Sequence, residues 1–169
     1  MQNLDALISA HNKGKIRRER EKDEQDNIKS CNCRKSSTCP VGNQCLTRSV
    51  VYEATIHHGK TQVKYVGMTE NDLKTRYNRH LLTTRHERYR TETELSSYVW
   101  KLKDKKTDYN ITWRILKRAQ PYRGGAITCN LCLAEKYFIL VGQNLINKKS
   151  ELLNKCRHRR KYLLNALPD

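Results

Sequence analysis

Residues 49–67 read SVVYEATIHHGKTQVKYVG: two short β-branched and aromatic runs on either side of His57-His58-Gly59-Lys60. Val, Ile, Thr and Tyr favour pleated, half-buried backbone, and a glycine between two such runs marks a β-hairpin. A two-residue loop at His58 and Gly59 would pair position 57 with 60 and set Tyr52 directly opposite Tyr65, with both tyrosines on one face. A longer loop would shift that register by a residue.

Beyond the hairpin, Thr69-Glu70-Asn71-Asp72 has a capping residue with an acid three positions on, which predicts a helix start. The apolar stripe of that helix is Leu73, Tyr77 and Leu81. At 3.6 residues per turn, Arg76 and His80 border the stripe and can look back toward the sheet. A second helix is expected after Thr91, with Glu94 completing another capping pattern and Leu95, Tyr98, Val99 and Leu102 buried. NITWRIL, residues 110–116, alternates Ile111, Trp113 and Ile115 as a third strand. CNLCLAEKYFILVG, residues 129–142, reads as a largely apolar helix whose only acid is Glu135. The expected fold is α+β: a small three-stranded antiparallel sheet flanked by helices, with an N-terminal arm.

The chain has 169 residues, one domain's worth by the usual range of roughly 100–200. Residues 1–30 form a mixed-charge linker or solvated helix, residues 31–48 a cysteine-rich knuckle, and residues 49–169 the main domain with a basic C-terminal segment. Lys and Arg outnumber Asp and Glu by 34 to 17, for a net charge of +17. That balance favours a polyanionic partner, nucleic acid or an acidic membrane surface. No apolar run approaches the roughly 20 residues of a membrane span, the start lacks a signal-peptide pattern, and no broad amphipathic face suits a membrane surface. A soluble, intracellular protein is expected. Basic clusters at Lys13 to Arg20 and Arg157 to Lys161 predict salt-sensitive phosphate contacts.

Seven cysteines, an odd number, fit a disulfide framework poorly. Cys31, Cys33, Cys39 and Cys45 make one set of four, and Cys129, Cys132, Cys156 and His158 another. Seven thiols and one imidazole fill two tetrahedral Zn²⁺ sites with none left over. Ligands could also be exchanged between the sets. The alternative is a set of buried, inert cysteines.

Taken singly, a strand tyrosine is most often core with a hydrogen-bonded tip, and Arg76 or His80 a surface residue. Glu135 is harder to explain that way, since a lone acid among Leu, Ala, Tyr, Phe and Ile is costly to bury without a cation. The order of the residues says more than any one of them: Val50-Val51-Tyr52, then Tyr65-Val66-Gly67, Arg76, His80, Glu135 and Asn154.

This order resembles the GIY-YIG nucleases over about residues 49–156, with VVY and YVG standing for the two motifs that give the family its name. CNCRKSSTCPVGNQC, ELSSYVWKLKD, CNLCLAEKYFI and SELLNKCRHRRKYLL are similar to the endonuclease domain of Penelope-like retroelements, and NLDALISAHNK to the junction with its reverse transcriptase. The resemblance implies a divalent-metal-dependent DNA endonuclease, a phosphodiester hydrolase that nicks DNA to expose a 3′ hydroxyl for target-primed reverse transcription. It implies Tyr52 as the group activating water, with Tyr65 beside it and His80 accepting the proton. Arg76 would stabilise the phosphorane-like transition state, Glu135 hold Mg²⁺ or Mn²⁺, and Asn154 brace the site. Further partners would be a reverse transcriptase domain and element RNA, in the nucleus. With no room for a polymerase, the chain would be a fragment or stand-alone descendant. A non-catalytic zinc-containing nucleic-acid-binding module is the second reading.

Overall fold

In the computed structural model, residues 3–26, 30–122, 128–156 and 158 are described. The basic run at Arg159, Arg160 and Lys161, and Arg157 before it, lie outside the described residues. The architecture is α+β. Strands β1 (Val50–His58), β2 (Thr61–Thr69) and β3 (Asn110–Arg118) form one antiparallel sheet in the order β2-β1-β3. Helices α1 (Leu4–Asp26), α2 (Leu73–Arg85), α3 (Glu94–Asp104), α4 (Asn130–Val141) and the short α5 (Lys149–Leu153) surround it.

The hairpin forms where expected, with a different register. Its loop is Gly59-Lys60, Gly59 taking the left-handed backbone (φ +55°) that only glycine adopts cheaply. Tyr52 therefore pairs with Gly67, and Tyr65 with Ala54. The tyrosines share a face, as expected, but stand diagonally instead of directly opposite. Along β1 and β3 the register slips at Val51/Tyr52, a bulge immediately beside Tyr52.

Strand period 2 splits the core into two layers. Val50, Tyr52, Ala54 and Ile56, with Tyr65 of β2, pack against Leu73 of α2 and Leu95, Val99 and Leu102 of α3. Val51 and Val66 face the other way, onto Leu131, Cys132 and Ala134 of α4. A fully buried side chain such as Ile56 or Leu95 contributes about 1.5–3 kcal/mol by leaving water. Ile111, Trp113 and Ile115 line the first layer, in agreement with their alternation.

Two helix starts differ from the sequence pattern. Thr69 stays in the ladder opposite Val50, and α2 is capped by Asp72, whose Oδ1 accepts from Thr75 N at 2.8 Å. α3 is capped by Thr93 and Ser96, each side chain accepting the other's main-chain N–H, not by Thr91 and Glu94. A hydroxyl at N3 completes the box as well as an acid does. The N-terminal segment takes the helical alternative, and Ile16 moors α1 against the second core layer. No described helix is long and apolar enough to cross a membrane.

Candidate active site

α2 leans on the sheet so that Arg76 and His80, one turn apart, meet Tyr52. Arg76 Nε donates to Tyr52 Oη at 2.9 Å, and Tyr52 Oη shares a 2.8 Å hydrogen bond with His80 Nε2. Tyr52 is fully buried and His80 nearly so. Burial, aided by the Arg76 charge, lowers the His80 pKa to about 3, so the ring is neutral near pH 7. Among the described residues its Nδ1 has no hydrogen-bond partner, a cost that the packing of the ring between Tyr52, Tyr65 and Trp113 must offset. Burial works against the Arg76 charge, but the Tyr52 and Tyr65 hydroxyls hold it and the guanidinium stays cationic.

Gly67 is the complement of Tyr52. A Cβ built there would lie 2.5 Å from Tyr52 Oη and 3.1 Å from Tyr65 Cε1, so only glycine lets the phenol cross under β2.

β2 is an edge strand, and the site opens at that edge. Lys64 forms a parallel bridge with Leu145: Lys64 N donates to Asn144 O and Ile146 N to Lys64 O, both at 2.9 Å. One step further, the Asn147 carboxamide takes over from the main chain. Val66 N donates to Asn147 Oδ1, and Asn147 Nδ2 donates to Val66 O, each at 2.8 Å. This covers the β2 edge from Lys64 to Val66 and anchors the segment that leads into α5. Asn147 Nδ2 also donates to Glu151 Oε2.

Between β2, α2, α4 and α5 lies a pocket of about 40 Å³ lined by Tyr65, Arg76, Glu135, Glu151 and Asn154. At roughly 10–15 Å³ per water-sized body, it has room for a few water-sized bodies and not for a nucleotide. Of the six residues singled out in the sequence, Tyr65, Arg76, Glu135 and Asn154 meet here, while Tyr52 and His80 stand behind Arg76. Two roles shift with the geometry. Tyr52, being buried, does not reach the pocket's solvent, whereas Tyr65 lines it. The bracing hydrogen bonds expected of Asn154 are made by Asn147, and Asn154 offers its main-chain carbonyl to Lys136 Nζ at 2.9 Å. Sequence reasoning missed Asn147 and Glu151. The aliphatic pair Leu145-Ile146 between two asparagines is a short-strand signal that could have drawn attention to the first.

The carboxylates of Glu135 and Glu151 are the hard oxygen donors that suit a divalent cation, with Lys136 and Lys155 in the same lining. The sulfur-rich clusters suit zinc, and they group as the spacing suggested. In Cys31, Cys33, Cys39 and Cys45, and again in Cys129, Cys132, Cys156 and His158, the ligand atoms lie within 4.8 Å of one another, close enough to hold a metal ion. Hydrogen bonding with Cys129, then burial, pushes the metal-free Cys132 thiol up to about 12, so an ion binding there displaces protons. His158 turns Nδ1 to the thiols and Nε2 to Glu70 Oε2 at 3.4 Å, the outer-shell carboxylate that orients a ligating imidazole. Both clusters bear on the β2–α2 connection: Glu70 lies in it, and the Cys45 and Thr47 carbonyls accept from Lys74 N and Leu73 N.

No protein-family model, curated protein or solved structure matches the chain.

Proposed function

We propose that the protein is a divalent-metal-dependent DNA endonuclease of the GIY-YIG type, similar to those of Penelope-like retroelements. The observation that carries this reading is the convergence of Tyr65, Arg76, Glu135 and Asn154 on one small pocket at the sheet edge, backed by the buried Tyr52–His80 pair. The +17 charge supports a polyanionic substrate.

Hydrolysis forms a bond from a water oxygen to phosphorus and breaks one P–O ester bond; the water loses a proton and the leaving oxygen gains one. Arg76, with Nε fixed by Tyr52, presents its fork to the non-bridging oxygens and stabilises the charge that grows on them. Tyr65, its pKa raised by burial first and the neighbouring Tyr52 phenol second, keeps its proton near pH 7. It therefore orients water or phosphate by donating a hydrogen bond, and Tyr52 acts as a positioning residue for Arg76. Glu135, with Glu151 beside it, would hold Mg²⁺ or Mn²⁺. A bound ion would supply an acidified water and neutralise phosphate charge. In a retroelement, the nick would prime reverse transcription, with the polymerase and element RNA as partners.

Single-turnover cleavage of an end-labelled duplex tests the Arg76 role. Arg76→Ala should slow cleavage by about 10²–10³-fold, the usual loss when one charge-stabilising donor is removed. Cleavage at the native rate would remove Arg76 from the mechanism.

The two four-ligand clusters also favour the second reading, a zinc-stabilised nucleic-acid-binding module without cleavage. Binding that is unaccompanied by nicking under either metal would select it.

A further inference from the structure

α4 separates two recesses. Glu135 faces the small pocket at the β2 edge, while the adjacent Ala134 lines a groove of about 400 Å³ on the other flank, against the end of β3. Lys117 and Arg118 form one wall, and Asn130, Leu133, Tyr137 and Phe138 the other. Tyr137 is 59% exposed, and its ring meets Phe138 edge-on at 5.4 Å.

We propose that this groove binds a strand of the DNA, one base stacking on Tyr137 and its flanking phosphates held by Lys117 and Arg118. DNA as the occupant rests on the nuclease reading above. Three observations support it. The groove is ten times the volume of the neighbouring pocket, room for a nucleotide and not merely an ion. Its walls pair cations with an exposed aromatic face, the combination that holds single strands without regard to sequence. Its rim is basic on a chain of net charge +17, which disfavours an equally basic second copy as the occupant. One helix diameter, about 10–12 Å, separates the recesses. That distance is about three base steps at roughly 3.4 Å each. A strand cleaved beside Glu135 would cross α4 and enter the groove a few nucleotides away.

The probe is a single-stranded oligonucleotide carrying 5-iododeoxyuridine, used with the full chain for photocrosslinking and fluorescence anisotropy. The expected results are a crosslink at Tyr137 and affinity about ten-fold lower in Tyr137→Ala, restored by Tyr137→Trp. Lys117→Ala should reduce the slope of log affinity against log salt by about one. Native affinity in Tyr137→Ala, with crosslinks only elsewhere, would overturn the assignment. So would Tyr137→Ala dissociating a dimer in sedimentation while DNA affinity stays native, because the groove would then be a protein interface. If the native chain never nicks but Tyr137→Ala still weakens binding, the groove stands and the nuclease reading falls.

Discussion

The Asn147 carboxamide hydrogen-bonds both main-chain groups of Val66, standing in for the next peptide of a strand beside β2. It is the point at which α5, with Glu151, is fixed to the edge on which Tyr65 lies. Removing it leaves two partly buried peptide groups without partners, at about 1–3 kcal/mol. Asn147→Ala should lower the urea midpoint accordingly and slow cleavage as the pocket loosens. Unchanged cleavage with lowered stability would confine Asn147 to folding.

Glycines at two positions should answer oppositely to alanine. Gly67→Ala puts a methyl against Tyr52 Oη and should cost about 1–3 kcal/mol or more, because the atom it meets is held by Arg76 and His80. Gly14 lies within α1 with nothing within 4 Å of an added Cβ, so Gly14→Ala should stabilise by about 0.5–1 kcal/mol. Thermal melts of the two variants check the pair; a neutral Gly67→Ala would mean that the Tyr52 contact is not as close as described.

His80 makes stability depend on pH. Its folded pKa, about 3, lies below the ordinary value of 6.5, so the unfolded chain takes up the proton first. The contribution is complete above about pH 6.5, declines as pH falls from there and levels off below about 3. The stability difference between the native chain and His80→Gln should therefore shrink from pH 7 to pH 4. A difference constant over that range would mean that the ring is not buried neutral.

The Cys129 cluster ties the start of α4 to the segment after Asn154, and through His158 to Glu70. Cys132→Ser should release one equivalent of zinc and lower melting and cleavage together. Activity that falls with zinc content and melting unchanged would count against a structural role. Glu70→Gln should retain zinc stoichiometry but weaken affinity about 10-fold or more, the usual effect of losing an outer-shell partner.

The legible parts of the sequence were those set by local chemistry. β-branched runs around Gly59, the alternation of Ile111, Trp113 and Ile115, and the 3.6-residue spacing of Arg76 and His80 each encode a periodicity. Spacing suggested the two ligand sets but left an exchange of ligands between them open, and the fold settles the grouping. Register was not legible, since moving the loop from His58-Gly59 to Gly59-Lys60 changes the partner of every residue in β1 without altering the pattern of either strand. Nor was Asn147 legible, because its partner is a main chain 81 residues away and main chains look alike in any sequence. The depth of Tyr52 depended on Gly67 opposite it, a relation that appears only once the register is known.

The pocket's claim to be a nuclease site is tested most directly by incubating supercoiled plasmid with Mg²⁺ or Mn²⁺ and the native chain or Glu135→Ala, matched in melting and zinc content. Nicked circles should accumulate with the native chain and not with the variant. Equal nicking by both, or bound but intact plasmid with the native chain, would contradict it.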